Sequence, residues 1–259
     1  MESMAGAEEF QQARRLLAGA CRIVVMTGAG VSTESGIPDF RGPNGVWTRD
    51  PGAERRFDIH AYLNERQVRE QSWRARVDHP GWQAEPNPAH TALVDLERSG
   101  KLSSIITQNI DGLHQKAGSD PARVIELHGT MFETVCLNCS DRRDMRHALD
   151  QVRAGETDPP CELCGGILKS ATISFGQSLD PRVLDKARVE AVFCDLLLVA
   201  GSSLTVHPAA GLVGLAVSSG ASVVVCNGSE TPYDDAAAAV LRGPLGEVLP
   251  DLVGGVRPD

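Results

Sequence analysis

Short apolar runs alternate along this chain with stretches of helical periodicity. Phe10, Ala13, Leu16 and Leu17 share one face of a helix expected over residues 7–19, which Gly19 is placed to end. Ile23-Val24-Val25-Met26 follows without a polar interruption, the pattern of a strand buried on both faces. The alternation resumes at Asn87-Pro88, an N-cap and first helical residue, with Ala89, Ala92, Leu93 and Leu96 on one face of a helix that runs to Gly100. Strands are then expected at 102–107, 124–127, 168–175, 196–200 and 222–226. Helices open at Asp180-Pro181 and at Pro208, the latter closing at Gly220, and two more cover about 234–242 and 247–253. Such alternation predicts an α/β fold with a doubly wound, parallel, Rossmann-like sheet.

Two segments break the pattern. Residues 42–86 carry many charges, three tryptophans and few aliphatic runs, and read as an inserted helical module. Residues 135–169 hold Cys136-x-x-Cys139 and Cys161-x-x-Cys164, two tight knuckles able to present four thiolates at the corners of a tetrahedron. That spacing predicts a small zinc-binding module with one structural Zn²⁺, against the alternatives of two disulfides or a redox dithiol. The Rossmann-like domain is then assembled from 1–41, 87–134 and 170–259. Cys21, Cys194 and Cys226 read as small buried hydrophobes.

A net charge of −9 gives no general attraction for nucleic acid or anionic lipid. The chain has no apolar run long enough to span a bilayer and opens on acidic and polar residues, so a cytoplasmic protein with neither nucleic-acid nor membrane partners is expected. The oligomeric state is not readable.

Chemistry gathers at the strand ends. Gly28-Ala29-Gly30 follows the first strand as a tight turn suited to close backbone approach, but the third glycine of a dinucleotide fingerprint is replaced by Thr33. The glycines alone leave a phosphate cradle and an ordinary strand-to-helix turn both open. Gln108-Asn109-Ile110-Asp111, His128-Gly129, Gly201-Ser202-Ser203 and Asn227-Gly228-Ser229 end four further strands, and in open parallel sheets ligands bind at that edge.

Five blocks together resemble the signatures of the sirtuins, NAD-dependent protein deacylases: Gly28-Ala29-Gly30-Val31-Ser32 with Gly36-Ile37-Pro38-Asp39-Phe40-Arg41; Thr107 to His114; Glu126-Leu127-His128-Gly129; the four cysteines; and Gly201-Ser202-Ser203-Leu204. The blocks stand in family order over nearly the whole chain. The resemblance implies a protein-lysine deacylase, foremost a deacetylase, that consumes NAD, releases nicotinamide and forms O-acyl-ADP-ribose from acylated protein lysines. It implies His128 as general base, with Asn109 and Asp111 beside the nicotinamide and its ribose. It implies that NAD is held by Gly28, Ala29, Gly30, Asp39, Phe40, Arg41, Gln108, Asn109, Ile110, Asp111, Gly201, Ser202, Ser203, Asn227 and Ser229. The acyl-lysine peptide would add as a strand against Ile173, Ser174, Phe175 and Gly176.

The chain departs from the family where Arg-Pro is replaced by Lys169-Ser170 and an acidic residue by Gln177. Trp73-x-x-Arg76 half matches the Tyr-x-x-Arg pair of sirtuins that take acidic acyl groups, which favours acetyl or another neutral acyl group and leaves Arg76 as a solvated helix charge. His60, His79, His90, His114, His147 and His207 read as surface, capping or packing residues. A mono-ADP-ribosyltransferase on the same scaffold and a non-catalytic NAD-sensing or zinc-dependent binding module are the alternatives.

Overall fold

A computed structural model of the chain describes residues 4–256. Among them nine strands form two sheets: β1 (Ile23–Thr27), β2 (Leu102–Thr107), β3 (Val124–Glu126), β4 (Gly129–Cys136), β5 (Arg142–Asp144), β6 (Leu168–Thr172), β7 (Leu196–Ala200), β8 (Ser222–Cys226) and β9 (Ala239–Leu241). The chain divides into two compact units, one from the described residues of Met1–Pro38, Ala84–Leu127 and Asp180–Asp259, the other from Asp39–Gln83 and His128–Leu179.

The first unit holds a six-stranded parallel sheet in the order β3-β2-β1-β7-β8-β9. The strand order reverses between β1 and β7, the switch point at which doubly wound sheets bind ligands. Every residue of β1 and β7 is buried, which is why both read as unbroken apolar runs. One face packs on the helices Met4–Gly19, Pro88–Arg98 and Leu245–Val253 through Ala13, Leu17, Leu93, Leu96, Leu249 and Leu252, each fully buried.

A helix was expected over 234–242. Instead Asp234–Ala236 makes one 3₁₀ turn and Ala239–Leu241 joins the sheet as β9, its register set by Val225 opposite Val240. Ala239 and Leu241, two residues apart, enter the core, so the alternation has period two. The last helix starts at Leu245, two residues before the expected position.

The second unit contains the antiparallel sheet β5-β4-β6 and the helices Ile59–Asn64, Arg66–Val77 and Met145–Arg153. Its core joins Trp73 and the partly buried Val77 to Met145, Ala148, Leu149 and Leu168 beside Cys136 and Cys161. The segments read as separate helical and zinc-binding modules therefore share one hydrophobic core, and residues 39–41, 128–134 and 170–179 belong with them instead of with the parallel sheet. The extended segment expected over 168–175 ends as a strand at Thr172; beyond it Phe175 donates its backbone N–H to Phe57 and accepts one from Ile59, at 2.8 and 3.0 Å.

Candidate active site

In the first unit the glycine loop and the loop after β7 cross at the switch point. A side-chain carbon at Gly28 would lie 2.7 Å from the Gly201 carbonyl, and one at Gly201, whose φ is +67°, would lie 2.5 Å from the Val31 nitrogen. Gly30 donates its N–H to the Gly201 carbonyl at 2.9 Å. The glycines thus serve the close approach of two backbones. Beyond them Ala29–Ser35 forms a 3₁₀ helix that ends at Gly36 in the left-handed region.

Between this loop and the end of β2 lies a buried polar set. Ser32 Oγ donates to Asp111 Oδ2 at 2.7 Å and accepts from Asn109 Nδ2 at 3.0 Å; the same Nδ2 donates to the Gly28 carbonyl at 3.1 Å. Asp111 Oδ1 accepts the Leu113 N–H at 3.0 Å, so both carboxylate oxygens are oriented. Asn109 and Asp111 are 9% and 7% exposed, which makes these bonds costly to lose. Gln108 Nε2 donates to Ser202 Oγ at 2.8 Å, tying β2 to the loop after β7. Ile110 and Ser203 are half-buried, Ser203 sharing a 3.0 Å hydrogen bond with Thr205. At the end of β8 Asn227 Nδ2 donates to the Ser229 carbonyl, and Arg242 Nη1 donates to the carbonyls of both residues, each at 2.8 Å.

A layer that the sequence reading did not single out lies behind this set. Thr27, Thr107, His90 and His114 are buried, with His114 Nε2 2.9 Å from Thr27 Oγ1 and the two imidazoles 5.0 Å apart. Burial pushes the His114 pKa down to about 3, and the neighbouring His90 adds to the effect. His90 is lowered too, first by burial, with Asp111 pulling the other way. His90 does act as a capping residue and His114 as a packed one, but only the fold shows that they meet.

In the second unit His128 is half-buried and its carbonyl accepts the Ile173 N–H at 2.9 Å. Gly129 after it has φ +75°, and a side-chain carbon there would sit 2.1 Å from the Ala171 carbonyl. Phe40, Trp47, Phe57 and the exposed Phe175 form a run of ring contacts 5.0 to 5.6 Å between centroids, and the Arg41 guanidinium lies 4.4 Å over Trp47. Asp39 Oδ1 accepts the Gly42 N–H at 2.9 Å and holds the turn after Arg41. Ile173 and Ser174 are half-buried, and Gly176 has φ +80°.

The sulfurs of Cys136, Cys139, Cys161 and Cys164 all lie within 4.8 Å of one another, with Cys136 and Cys164 at 3.5 Å and Cys139 and Cys161 at 3.8 Å. Four Zn–S bonds of about 2.3 Å in a tetrahedron place sulfurs roughly 3.8 Å apart, so the set fits one Zn²⁺ with no open position. The N–H groups of Asn138 and Cys139 point at Cys136 Sγ from 3.4 and 3.5 Å, and Ser140 and Gly165, one residue past each pair, have positive φ, as tight knuckles need.

Arg76, read as a solvated charge, is half-buried: its guanidinium lies 5.7 Å from the Trp73 ring centroid and donates to the Ser72 carbonyl at 3.0 Å, and burial lowers its pKa. Lys169 is 1% exposed and donates to the carbonyls of Ser170 and Thr172, and burial, with Arg76, brings its pKa down to about 7.

A profile of the Sir2 family matches residues 28–208. The NAD-dependent protein deacetylase 2 of Streptomyces coelicolor is 49% identical over 234 residues, which cover 90% of this chain and 97% of that protein. The NAD-dependent protein deacylase 2 of Archaeoglobus fulgidus is 42% identical over 253 residues, or 96% of this chain and 97% of that one. Among solved structures, a Sir2 histidine-to-alanine variant with deacetylated p53 peptide and 3′-O-acetyl ADP ribose matches with a TM-score of 0.88 at 35% identity, covering 95% of this chain and 99% of that one. A structure from work on the mechanism and regulation of Sir2 enzymes matches with a TM-score of 0.87 at 40% identity, covering 96% and 97%.

Proposed function

This chain belongs to the Sir2 family, and on that footing we propose that it removes acyl groups from protein lysines at the expense of NAD, acetyl first among them. The observation that carries the reading is the buried Asn109–Ser32–Asp111 set beside the crossing glycine loops, at the switch point of the parallel sheet. A neutral amide and a fixed carboxylate suit nicotinamide and its ribose: Asp111 accepts from the carboxamide NH₂ and Asn109 orients a ribose hydroxyl. The amide oxygen of the acyl-lysine is a weak nucleophile for the anomeric carbon, so both reactants must be held in place as the bond to nicotinamide breaks and nicotinamide leaves. Phe40 shields the reacting ribose from water and Arg41 pairs with phosphate. His128 accepts the proton of the ribose hydroxyl that next attacks the acyl-derived carbon; water then adds at that carbon, the lysine amine leaves with a proton, and the acyl group remains as an ester on ADP-ribose.

Ser202, Ser203, Asn227 and Ser229 hold the phosphate and adenosine half, and Ile173 to Gly176 pair with the peptide backbone. Trp73 is fully buried in the core and offers no phenol to share a carboxylate with Arg76, which supports a neutral acyl group. Four clustered cysteines that hold zinc must stay reduced, which supports a cytoplasmic protein.

Incubation with an acetyl-lysine peptide and NAD, followed by mass spectrometry, tests the proposal: O-acetyl-ADP-ribose and free nicotinamide are expected. No NAD-dependent product across several acyl chains would sink it, and ADP-ribose mass on a protein acceptor would replace it with the transferase. His128→Ala should abolish turnover and leave NAD binding intact. A succinyl-lysine peptide turned over faster than the acetyl one would overturn the acyl preference.

A further inference from the structure

Behind the Asn109–Asp111 turn the hydrogen positions are fixed by the bonds themselves. His90 Nδ1 accepts the Asn87 N–H at 3.3 Å as part of a capping box, so the His90 proton sits on Nε2. The Thr27 hydroxyl donates its one proton to Thr107 Oγ1 at 2.9 Å. Its 2.9 Å contact with His114 must then be a bond accepted from His114 Nε2–H. That leaves an open donor, His90 Nε2–H, and an open acceptor, His114 Nδ1, both buried and without a partner among the described residues. The rings that carry them are packed against each other, with centroids 5.0 Å apart and planes tilted by 55°.

The ends of this chain of bonds are as informative as its middle. At one end Asn87 Nδ2 donates to the Val31 carbonyl at 2.8 Å and to Ser35 Oγ at 3.0 Å, both in the segment after the glycine turn. At the other, Thr107 Oγ1 accepts the backbone N–H of Asn109 at 3.0 Å. An open donor on one buried ring and an open acceptor on the ring packed against it are complementary, and the bonds on either side of them lead to two segments of a site.

We propose that His90 and His114 are positioning residues: a neutral relay of fixed tautomers, closed by a hydrogen bond from His90 Nε2–H to His114 Nδ1 directly or through one water, which holds the Asn109–Asp111 turn in register with the glycine loop for NAD. The proposal rests on the reading that Asn109 and Asp111 face NAD. Burial opposes a charge on His90 more than Asp111 favours one, and burial and the adjacent imidazole both oppose one on His114. A proton added to His114 Nδ1 would also turn the open acceptor into a second donor.

Imidazole nitrogen NMR on the ¹⁵N-labelled, zinc-loaded full chain without NAD tests the relay independently of activity. Both rings should show protonated Nε2 and bare Nδ1, unchanged from about pH 8 to pH 5.5, a range in which an ordinary histidine titrates. A proton on either Nδ1, or a charged ring in that range, overturns the relay. Calorimetry of NAD binding tests the positioning role. His114→Leu, which removes both ring nitrogens, should weaken NAD roughly tenfold, the size of one hydrogen bond. His114→Gln, which can return an N–H toward Thr27, should recover most of that loss. Equal loss in the two variants, or none in His114→Leu, overturns the positioning role. Should His114→Leu fail to fold, the tautomers of the unaltered chain still decide. Failure of the unaltered chain to bind NAD would strike the functional reading and leave the tautomer result standing.

Discussion

Ser32 shows how much one hydroxyl decides at this site. It is 1% exposed, gives its proton to Asp111 and accepts from Asn109, so it is the shared partner of the two residues proposed to face nicotinamide and ribose. Ser32→Ala removes both bonds and leaves a buried carboxylate oxygen and an amide N–H short of a partner. The expected cost is about 1–3 kcal/mol, read by denaturant unfolding, together with weaker NAD binding by calorimetry. An unchanged NAD affinity would show that the orientation of Asn109 and Asp111 does not matter to binding. Gly129 is a second residue with no substitute, for a different reason. A methyl there would meet the Ala171 carbonyl at 2.1 Å from a backbone already at φ +75°. Gly129→Ala should destabilise the second unit by roughly 2–4 kcal/mol, from strain and overpacking together, with increased hydrogen exchange along β4 and β6 as the measurement.

At the scale of elements, β6 carries an unusual load. Its Lys169 is buried with two carbonyl partners and no carboxylate bonded to its Nζ among the described hydrogen bonds. Its pKa in the folded chain, about 7, lies below the ordinary lysine value, so between pH 7 and that value the unfolded chain binds more protons and stability rises with pH. Lys169→Met, which keeps the apolar stem and drops the charge, should raise the melting temperature of the second unit at pH 6.5 and give little or no gain at pH 10. A gain of equal size at both pH values would assign the effect to packing. Nothing in the local pattern signals this, because burial of a lysine is a property of the strand's neighbours and not of its own sequence. Legibility followed the same division elsewhere. β1, β7 and β8 could be read because strands buried on both faces are nearly continuous apolar runs, and the cysteine knuckles could be read because their ligand spacing is local. β9 could not, since three residues in an alanine run carry too little pattern to separate period two from period 3.6. Nor could the common core of the helical and zinc-binding segments, because Trp73 and Leu149 are 76 positions apart and meet only in the fold. The glycine, Gln-Asn-Ile-Asp and Gly-Ser-Ser blocks were found as strand ends, but the meeting of His90 with His114 depends on the register of β1 against β2, which places Thr27 opposite Thr107.

For the whole molecule, two electrostatic effects compete as the pH falls. The net charge of −9 shrinks toward zero near pH 5.3, which relieves self-repulsion and favours the folded chain. The buried imidazoles act in the opposite direction. His114 in the folded chain has its pKa pushed down to about 3 and His90 is lowered as well, so below the ordinary histidine value the unfolded chain takes up protons that the folded one refuses. Stability is therefore intact above about pH 6.5 and is lost progressively toward pH 3, His114 alone accounting for about 2 kcal/mol between pH 6.5 and 5. Exposed charges are largely screened at physiological salt and a buried imidazole is not, so the first unit should weaken on acidification even as the chain's net charge falls. Hydrogen exchange at the amides of Ile105 and Leu198, in the centre of the parallel sheet, measures this unit by itself. Comparing the chain with its His114→Gln variant cancels the carboxylates and thiolates common to both. The variant should lose less protection than the unaltered chain between pH 6.5 and 5, by the share that belongs to His114. Parallel losses in the two proteins would mean that His114 takes up its proton without unfolding, and that its buried surroundings tolerate the charge.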